Sequence, residues 1–279
     1  KLIMVRVSGY GQTGPYAYKA GYATVGEAVG GMRYVMGYPD RVPSRAGISI
    51  GDTLAATFAA LGTMMALHQR SKTGKGQVVD SSIYESCFAM MESLVTEYQV
   101  NGYIRERTGS ILPKVAPSNV YPTSDGMVII GANQDTVFAR LAKAMGHPEW
   151  PEDPRFDNHN SRGENQELLD NLIADWTKQR TSEEVLAVMD EAGVPSGKLF
   201  RAPEMLEDPH YKAREAIVGV PFPEVGELLM QNAFPKLSET PGSVRWAGPE
   251  LGEHNDEVYK GLLGLSDEDV AKLKETGNI

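Results

Sequence analysis

Cysteine is almost missing. Cys87 is the only one in 279 residues, so no intrachain disulfide can form, which fits a reducing compartment. It lies in an apolar helical pattern, Ile83 to Met91, where a thiol reads as buried and inert. Long apolar runs are missing too. None approaches the ~18 residues of a membrane-crossing helix, so no membrane partner is expected. An excess of positive charge is also lacking: 27 Lys and Arg stand against 37 Asp and Glu, a net charge of −10. Nucleic acid is therefore not an expected partner, although a local basic patch for a phosphorylated ligand is compatible with that balance. The five histidines, 68, 147, 159, 210 and 254, make no HxH or HExxH pair, and with a single cysteine no metal site is expected. A GxSxG nucleophile elbow is absent. There is no internal repeat or low-complexity segment.

What is present is an ordinary globular composition, long enough for one large domain or two smaller ones. The chain opens Lys1-Leu2-Ile3-Met4-Val5-Arg6-Val7, which reads as a buried strand already under way. With no start Met and no charged-then-apolar leader pattern, the expectation is that the natural protein has a preceding part. Residues 8–16 form a glycine-rich loop, and Gly30-Gly31 marks a break in the small, apolar stretch 21–36. From Asp52 to Arg70 the pattern is helical, with Leu54, Phe58, Leu61, Met65 and His68 at spacings of three and four. Ser71 to Gly76 ends that helix with glycine punctuation. Gln77 to Asp80 reads as a short strand and residues 81–101 as a second long helix. Residues 102–126 read as loop, Met127–Gly131 as a strand, and Thr136–Met145 and Gln166–Lys178 as helices. Thr181-Ser182-Glu183-Glu184 and Ser266-Asp267-Glu268-Asp269 are helix-start signals, since a hydroxyl can accept from free amides and acids suit the positive helix end. Residues 193–250 read as short strands and turns. The class is mixed α/β.

Two motifs invite chemistry. Gly9-Tyr10-Gly11-Gln12-Thr13-Gly14 resembles a phosphate cradle, because glycines let amides face an anion. Its spacing matches neither standard nucleotide pattern, and Pro15 follows at once. Asp52 follows Ile48-Ser49-Ile50 and precedes an alanine-rich helix, so it stands at a helix N-terminus. By position alone it reads as an N-cap. A carboxylate held by free helix amides, with small neighbours that leave room for substrate, is also able to act as a covalent nucleophile.

Five segments in order then resemble one family. They are Val7 to Pro15; Gly51-Asp52, with Asp52 44 residues after Ser8; Thr73-Gly74-Lys75-Gly76-Gln77-Val78-Val79-Asp80; Ala116-Pro117 with Tyr121-Pro122-Thr123 and Asp125-Gly126; and Leu251-Gly252-Glu253-His254. The chain resembles the class III CoA-transferases, the CaiB/BaiF family, along essentially its whole length. The resemblance implies an α/β fold: a Rossmann-like large domain, partial here because the family's opening units precede it, and a smaller α/β domain. Residues 1–101 would be the C-terminal portion of the large domain, 102–126 a linker, 127–215 the small domain, and 216–279 a linker and a segment returning to the large domain. It implies an interlocked homodimer, Asp52 as nucleophile, and Tyr22, Gly51, Gly109 and Ser110 around the substrate. The substrates would be an acyl-CoA and small carboxylic acids. Coenzyme A thioester enters as substrate, with no permanently bound cofactor. The compartment would be cytoplasmic, or mitochondrial or peroxisomal in a eukaryote.

The family also holds α-methylacyl-CoA racemases, and non-catalytic members are a further alternative. The racemase pattern has His where this chain has Tyr22, 30 residues before Asp52, and Glu where it reads Ala132-Asn133-Gln134. Tyrosine, with a pKa of ~10, and an amide are poor proton-transfer partners near neutral pH. Both departures favour transfer of coenzyme A between carboxylic acids over epimerisation. Thr108-Gly109-Ser110 falls where the family has a glycine loop over the active site; it reads equally as a plain linker. Arg6, Arg33, Arg45, Lys72 and Lys75 are cations available to the coenzyme's phosphates, none singled out, and Lys75 reads better as part of a turn.

Overall fold

The computed structural model describes all 279 residues as two compact units, Lys1–Leu199 and Phe200–Ile279. Unit one opens with β1 (Met4–Ser8), which pairs in parallel with β2 (Val78–Ser82). Between them run α1 (Ala23–Val29), α2 (Met32–Val35) and the long α3 (Ile50–Thr73). Gly30 and Gly31 separate α1 from α2, with Gly31 at φ 86°. α3 stops at Gly74, whose φ of 72° is left-handed and whose amide donates to the Arg70 carbonyl.

The packed face of α3 differs from the expected apolar stripe. Gly51, Ala55, Ala59 and Ala66 are buried, while Leu61, Met64 and Met65 are largely exposed. The reason is closeness. A Cβ on Gly62 would stand 2.7 Å from Val79 Cγ1 of β2, so only small residues fit that side. α3 is also, by length and composition, apolar enough to cross a membrane, although no uninterrupted run announced it. Threonines and His68 break up the runs without lowering the average much. In this fold α3 packs on β1, β2 and α4 (Ile83–Phe88).

The single helix expected over residues 81–101 is instead α4 and α5 (Leu94–Asn101). Glu92 between them takes φ 51°, outside the helical region. Arg105 then binds Glu92 at 3.0 Å and Glu97 at 2.7 Å, pinning the break. Residues 102–126, read as loop, contain a strand, β3 (Ser118–Pro122). It pairs antiparallel with β4 (Met127–Gly131), which pairs with β5 (Ser196–Lys198). β4 alternates exposed and buried residues, whereas β3 shows no such signal because prolines stand beside and within it.

The helices against this sheet are α6 (Asp135–Ala144), α7 (His159–Glu164), α8 (Gln166–Thr177) and α9 (Ser182–Glu191). Their apolar faces close a core that includes Tyr121, Val128, Ile130, Phe138, Leu141, Leu169, Ile173 and Met189. α9 starts on the predicted capping box, with Thr181 and Glu184 each bonding the other's amide. Arg162 lies inside, 1% exposed. It donates to the carbonyls of Ala116 (3.2 Å), Phe156 (3.1 Å) and Asn133 (2.8 Å), pairs with Asp135 at 2.6 Å, and stacks over Phe138. These partners offset the cost of burying the charge.

Residues 193–250, most of which lie in the second unit, are less extended than expected. They hold α10 (Ala202–Glu207) and α11 (Pro209–Ala213) before the antiparallel hairpin β6 (Ile217–Phe222) and β7 (Gly226–Gln231). A short π-helical turn, Asp256–Leu262, precedes α12 (Asp267–Glu275), which starts at Ser266 as predicted and carries a capping box between Ser266 and Asp269.

Arg162→Met leaves its three carbonyl partners buried and bare. The expected cost is about 3 kcal/mol, seen as a lower urea midpoint for the transition that reports on Trp150.

Candidate active site

α1, α3 and α4 approach one another closely where their first turns meet. A Cβ on Gly26 would lie 2.5 Å from Ile83 Cγ2, and one on Gly51 would lie 3.0 Å from the same methyl and 3.2 Å from the Ala23 carbonyl oxygen. Ile83 is the first residue of α4, Ala23 the first of α1 and Gly51 the second of α3. The N-termini of α1 and α3 therefore abut. Tyr22 precedes one and Asp52 follows closely in the other.

Asp52 is not the N-cap. Ser49 holds that position, without a side-chain capping bond, and Asp52 is the third residue of α3. Its carboxylate is exposed and makes no hydrogen bond or ion pair. Free amides of the first turn place partial positive charge beside it. The result is a solvent-accessible carboxylate, electrostatically supported, with no partner occupying its oxygens. Tyr22 is the N-cap of α1 and is 83% exposed. Gly51 is buried as the contact that lets α1 come close.

Gly109 and Ser110 are placed differently from Asp52. The Gly109 amide donates to the Gly37 carbonyl at 2.9 Å, and at φ 70° its Cα lies so close to Tyr38 that a Cβ would stand 2.6 Å from the ring. Ser110 Oγ donates to Asn119 Oδ1 at 2.6 Å. The loop is thus tied at both ends. It lines a cleft of about 510 Å³ with Tyr38, Asn119, Glu167 and Asp170, and Asp52 is not part of that lining.

Two amides of the glycine-rich loop are taken up within the chain. The Gly11 amide donates to Ser8 Oγ at 3.0 Å, and the Gln12 amide to Asp80 Oδ2 at 2.8 Å. The loop ties β1 to β2. Among the five cations, Arg33 is taken. Both its Nε and Nη2 donate to Glu27 Oε2, the closer at 2.6 Å. Glu27 is fully buried, and its other oxygen has no partner. Sequence reasoning missed this pair, since a glutamate within a small-residue helix gives no sign of its own burial.

Cys87 is buried beneath the same helices, in a cluster with Ala55 and Ile83. Burial first, then the negative charges of Glu27 and Asp52, push its thiol up from the ordinary range. Iodoacetamide at neutral pH should label native Cys87 at least about a hundredfold more slowly than the urea-unfolded chain, read by intact mass. Comparable rates would place the thiol in a reactive site.

Comparison with known proteins adds a family and relatives. The model for CoA-transferase family III matches residues 1–255. The chain is 60% identical over 274 residues to a succinyl-CoA–D-citramalate CoA-transferase of Chloroflexus aurantiacus, covering 98% of this chain and 68% of the relative. It is 38% identical to the beta subunit of a succinyl-CoA–L-malate CoA-transferase of the same organism, covering 98% and 69%. A CaiB/BaiF family protein from Brucella suis has a similar structure, with a TM-score of 0.81 at 28% identity, over 94% of this chain and 68% of that one. The chain spans about two thirds of the length of these relatives.

Proposed function

The chain belongs to CoA-transferase family III, and on that premise we propose that it moves coenzyme A from an acyl-CoA to a carboxylic acid through a covalent intermediate on Asp52. The observation that carries the reading is the state of Asp52: exposed, unpaired, and in the first turn of a helix whose N-terminus meets that of α1.

The steps balance without a redox change. An Asp52 carboxylate oxygen attacks the thioester carbonyl, the C–S bond breaks, and coenzyme A leaves as thiolate. The product is a mixed anhydride of Asp52 and the donor acid. The thiolate then attacks the Asp52 acyl carbon and the donor acid departs as carboxylate, leaving an aspartyl thioester. The acceptor carboxylate attacks that thioester carbonyl and displaces the thiolate once more. Attack of the thiolate on the acceptor's acyl carbon gives the new acyl-CoA and restores the Asp52 carboxylate. Thiolate is the leaving group and the nucleophile in turn, so no proton need be stored on the protein.

Helix amides beside Asp52 stabilise the carboxylate at both ends of the cycle. Anhydrides hydrolyse readily, so the centre has to be covered during turnover. The Gly109–Ser110 segment is the part of the chain assigned to that role, and Tyr22 and Gly51 to the walls around Asp52. The 60% identical relative uses succinyl-CoA and D-citramalate by its name, which makes a short dicarboxylic acyl-CoA and a small hydroxy-acid acceptor the first substrates to try. An interlocked homodimer is part of the same proposal. Tyr22 and Asn133-Gln134, in place of an imidazole and a carboxylate, argue against proton exchange at the α-carbon.

In the full-length protein, Asp52→Ala should lower transfer from succinyl-CoA by at least about a thousandfold while circular dichroism stays unchanged. Hydroxylamine added during turnover should convert Asp52 to a hydroxamate that intact mass and peptide mapping detect. Transfer retained in the alanine variant would rule out the nucleophile.

A further inference from the structure

The segment between the two cores of the first unit carries a set of bonds that the proposed chemistry does not explain. On one side Arg107 donates to the Tyr34 carbonyl at 3.0 Å and the Gly109 amide to the Gly37 carbonyl. These anchor it to residues 34–38, where Gly37 and Tyr38 open the loop that leads straight into Ser49 and α3. On the other side α8 takes over. Gln166 accepts from the Lys114 amide at 3.1 Å and donates to the Leu112 carbonyl at 3.2 Å. Asp170, one turn further along the same helix face, accepts from Asn119 Nδ2 at 2.9 Å and from the Tyr121 hydroxyl at 2.5 Å. Asn119 in turn accepts from Ser110 Oγ and from the Val120 amide.

The handover from one core to the other falls between Gly109 and Ser110. Gly109 supplies the left-handed φ that a side chain would resist. Ser110 is the first residue held by the second core. Each of the two Asp170 oxygens takes a donor from β3, and Tyr121, one of those donors, is buried. Burial raises the carboxyl of Asp170 above its usual range, and the Tyr121 and Asn119 bonds act against that rise.

We propose that Asp170 is a positioning residue for transfer: through Asn119 it fixes Ser110, and through Ser110 and Gly109 it sets the strap 108–115 against the loop that delivers Asp52. The inference rests on the reading that this strap covers the Asp52 centre. Asp170 itself touches no substrate. Its carboxylate is required because Asn119 needs its amide nitrogen held in one direction. Only then does its oxygen face Ser110. An alanine at 170 removes both acceptor oxygens, so Asn119 and Tyr121 both lose their partner.

The test uses full-length protein, succinyl-CoA as donor and a small hydroxy acid as acceptor. Asp170→Ala and Ser110→Ala should each lower the transfer rate about tenfold, with KM for succinyl-CoA within about threefold of wild type. Thioester hydrolysis should rise as a share of turnover, and amide exchange should speed up in residues 108–115 but not in α3. The exchanged pair Asn119→Asp with Asp170→Asn keeps one carboxylate and one amide facing each other. The carboxylate introduced at position 119 then accepts from Ser110, and both readouts should stay near wild type. Faster exchange at 108–115 with unchanged transfer and unchanged hydrolysis would overturn the proposal, as would a tenfold loss of transfer in the exchanged pair. If Asp170→Ala does not fold, Ser110→Ala decides, because its hydroxyl lies at the exposed end of the relay. Hydroxylamine trapping separates this from the nucleophile itself. Loss of the Asp52 adduct in wild type defeats the covalent reading, whereas a normal rate of adduct formation and release in the variants defeats the positioning role.

Discussion

The place of Asp52 depends on how closely three helices can approach a single methyl-bearing side chain. Ile83 occupies the junction of α1, α3 and α4, and Gly26 and Gly51 are the positions where a side chain would collide with it. Gly30 does the same one turn lower, against the Tyr84 carbonyl and Cys87. Dispersion contacts are individually small and fall off steeply with distance. A gap of an ångström here would loosen the start of α3, and with it the direction of the Asp52 carboxylate. The alanines of α3 carry the same close contact towards β2 and α4. This explains why the large apolar residues of that helix face outward.

A second constraint is polar. The small sheet and its helices close an apolar core, yet a fully buried guanidinium sits within it. Arg162 collects carbonyls from three separate segments, at Ala116, Asn133 and Phe156. It binds the entry to β3, the exit of β4 and the start of α7 together in one network. Gln166 and Asp170 repeat that logic on the neighbouring helix, holding backbone and side chains of the strap. The first core is organised by the absence of side chains, the second by saturated polar groups. The strap joins the two.

Sequence reading succeeds where local chemistry is self-sufficient. The capping boxes at Thr181 and Ser266 need only residues three apart, and both form. The stop at Gly74 needs only a left-handed residue after a helix. It fails where the deciding partner is distant. The helix over 81–101 breaks because Glu92 and Glu97 are drawn to Arg105, across a turn that no periodicity announces. The strand at 118–122 lies hidden among prolines, and its pairing with β4 exists only once the hairpin closes. Arg33, read as a free cation, is held by Glu27.

The glycine-rich loop after β1, the α/β class and membership of CoA-transferase family III were legible in the sequence alone, which also singled out Asp52 as the nucleophile we propose. These rest on residue type and order, which survive any arrangement in space. Tertiary structure decided that Asp52 stands free in the first turn while Ser49 takes the cap. It also decided that the glycine loop spends the Gly11 and Gln12 amides on Ser8 and Asp80, and that Ser110 meets Asp170 through Asn119. Those outcomes depend on which donors and acceptors arrive within about 3 Å of each other. Partners 51 to 68 residues apart, such as Asn119 and Asp170 or Gln12 and Asp80, become neighbours only through folding.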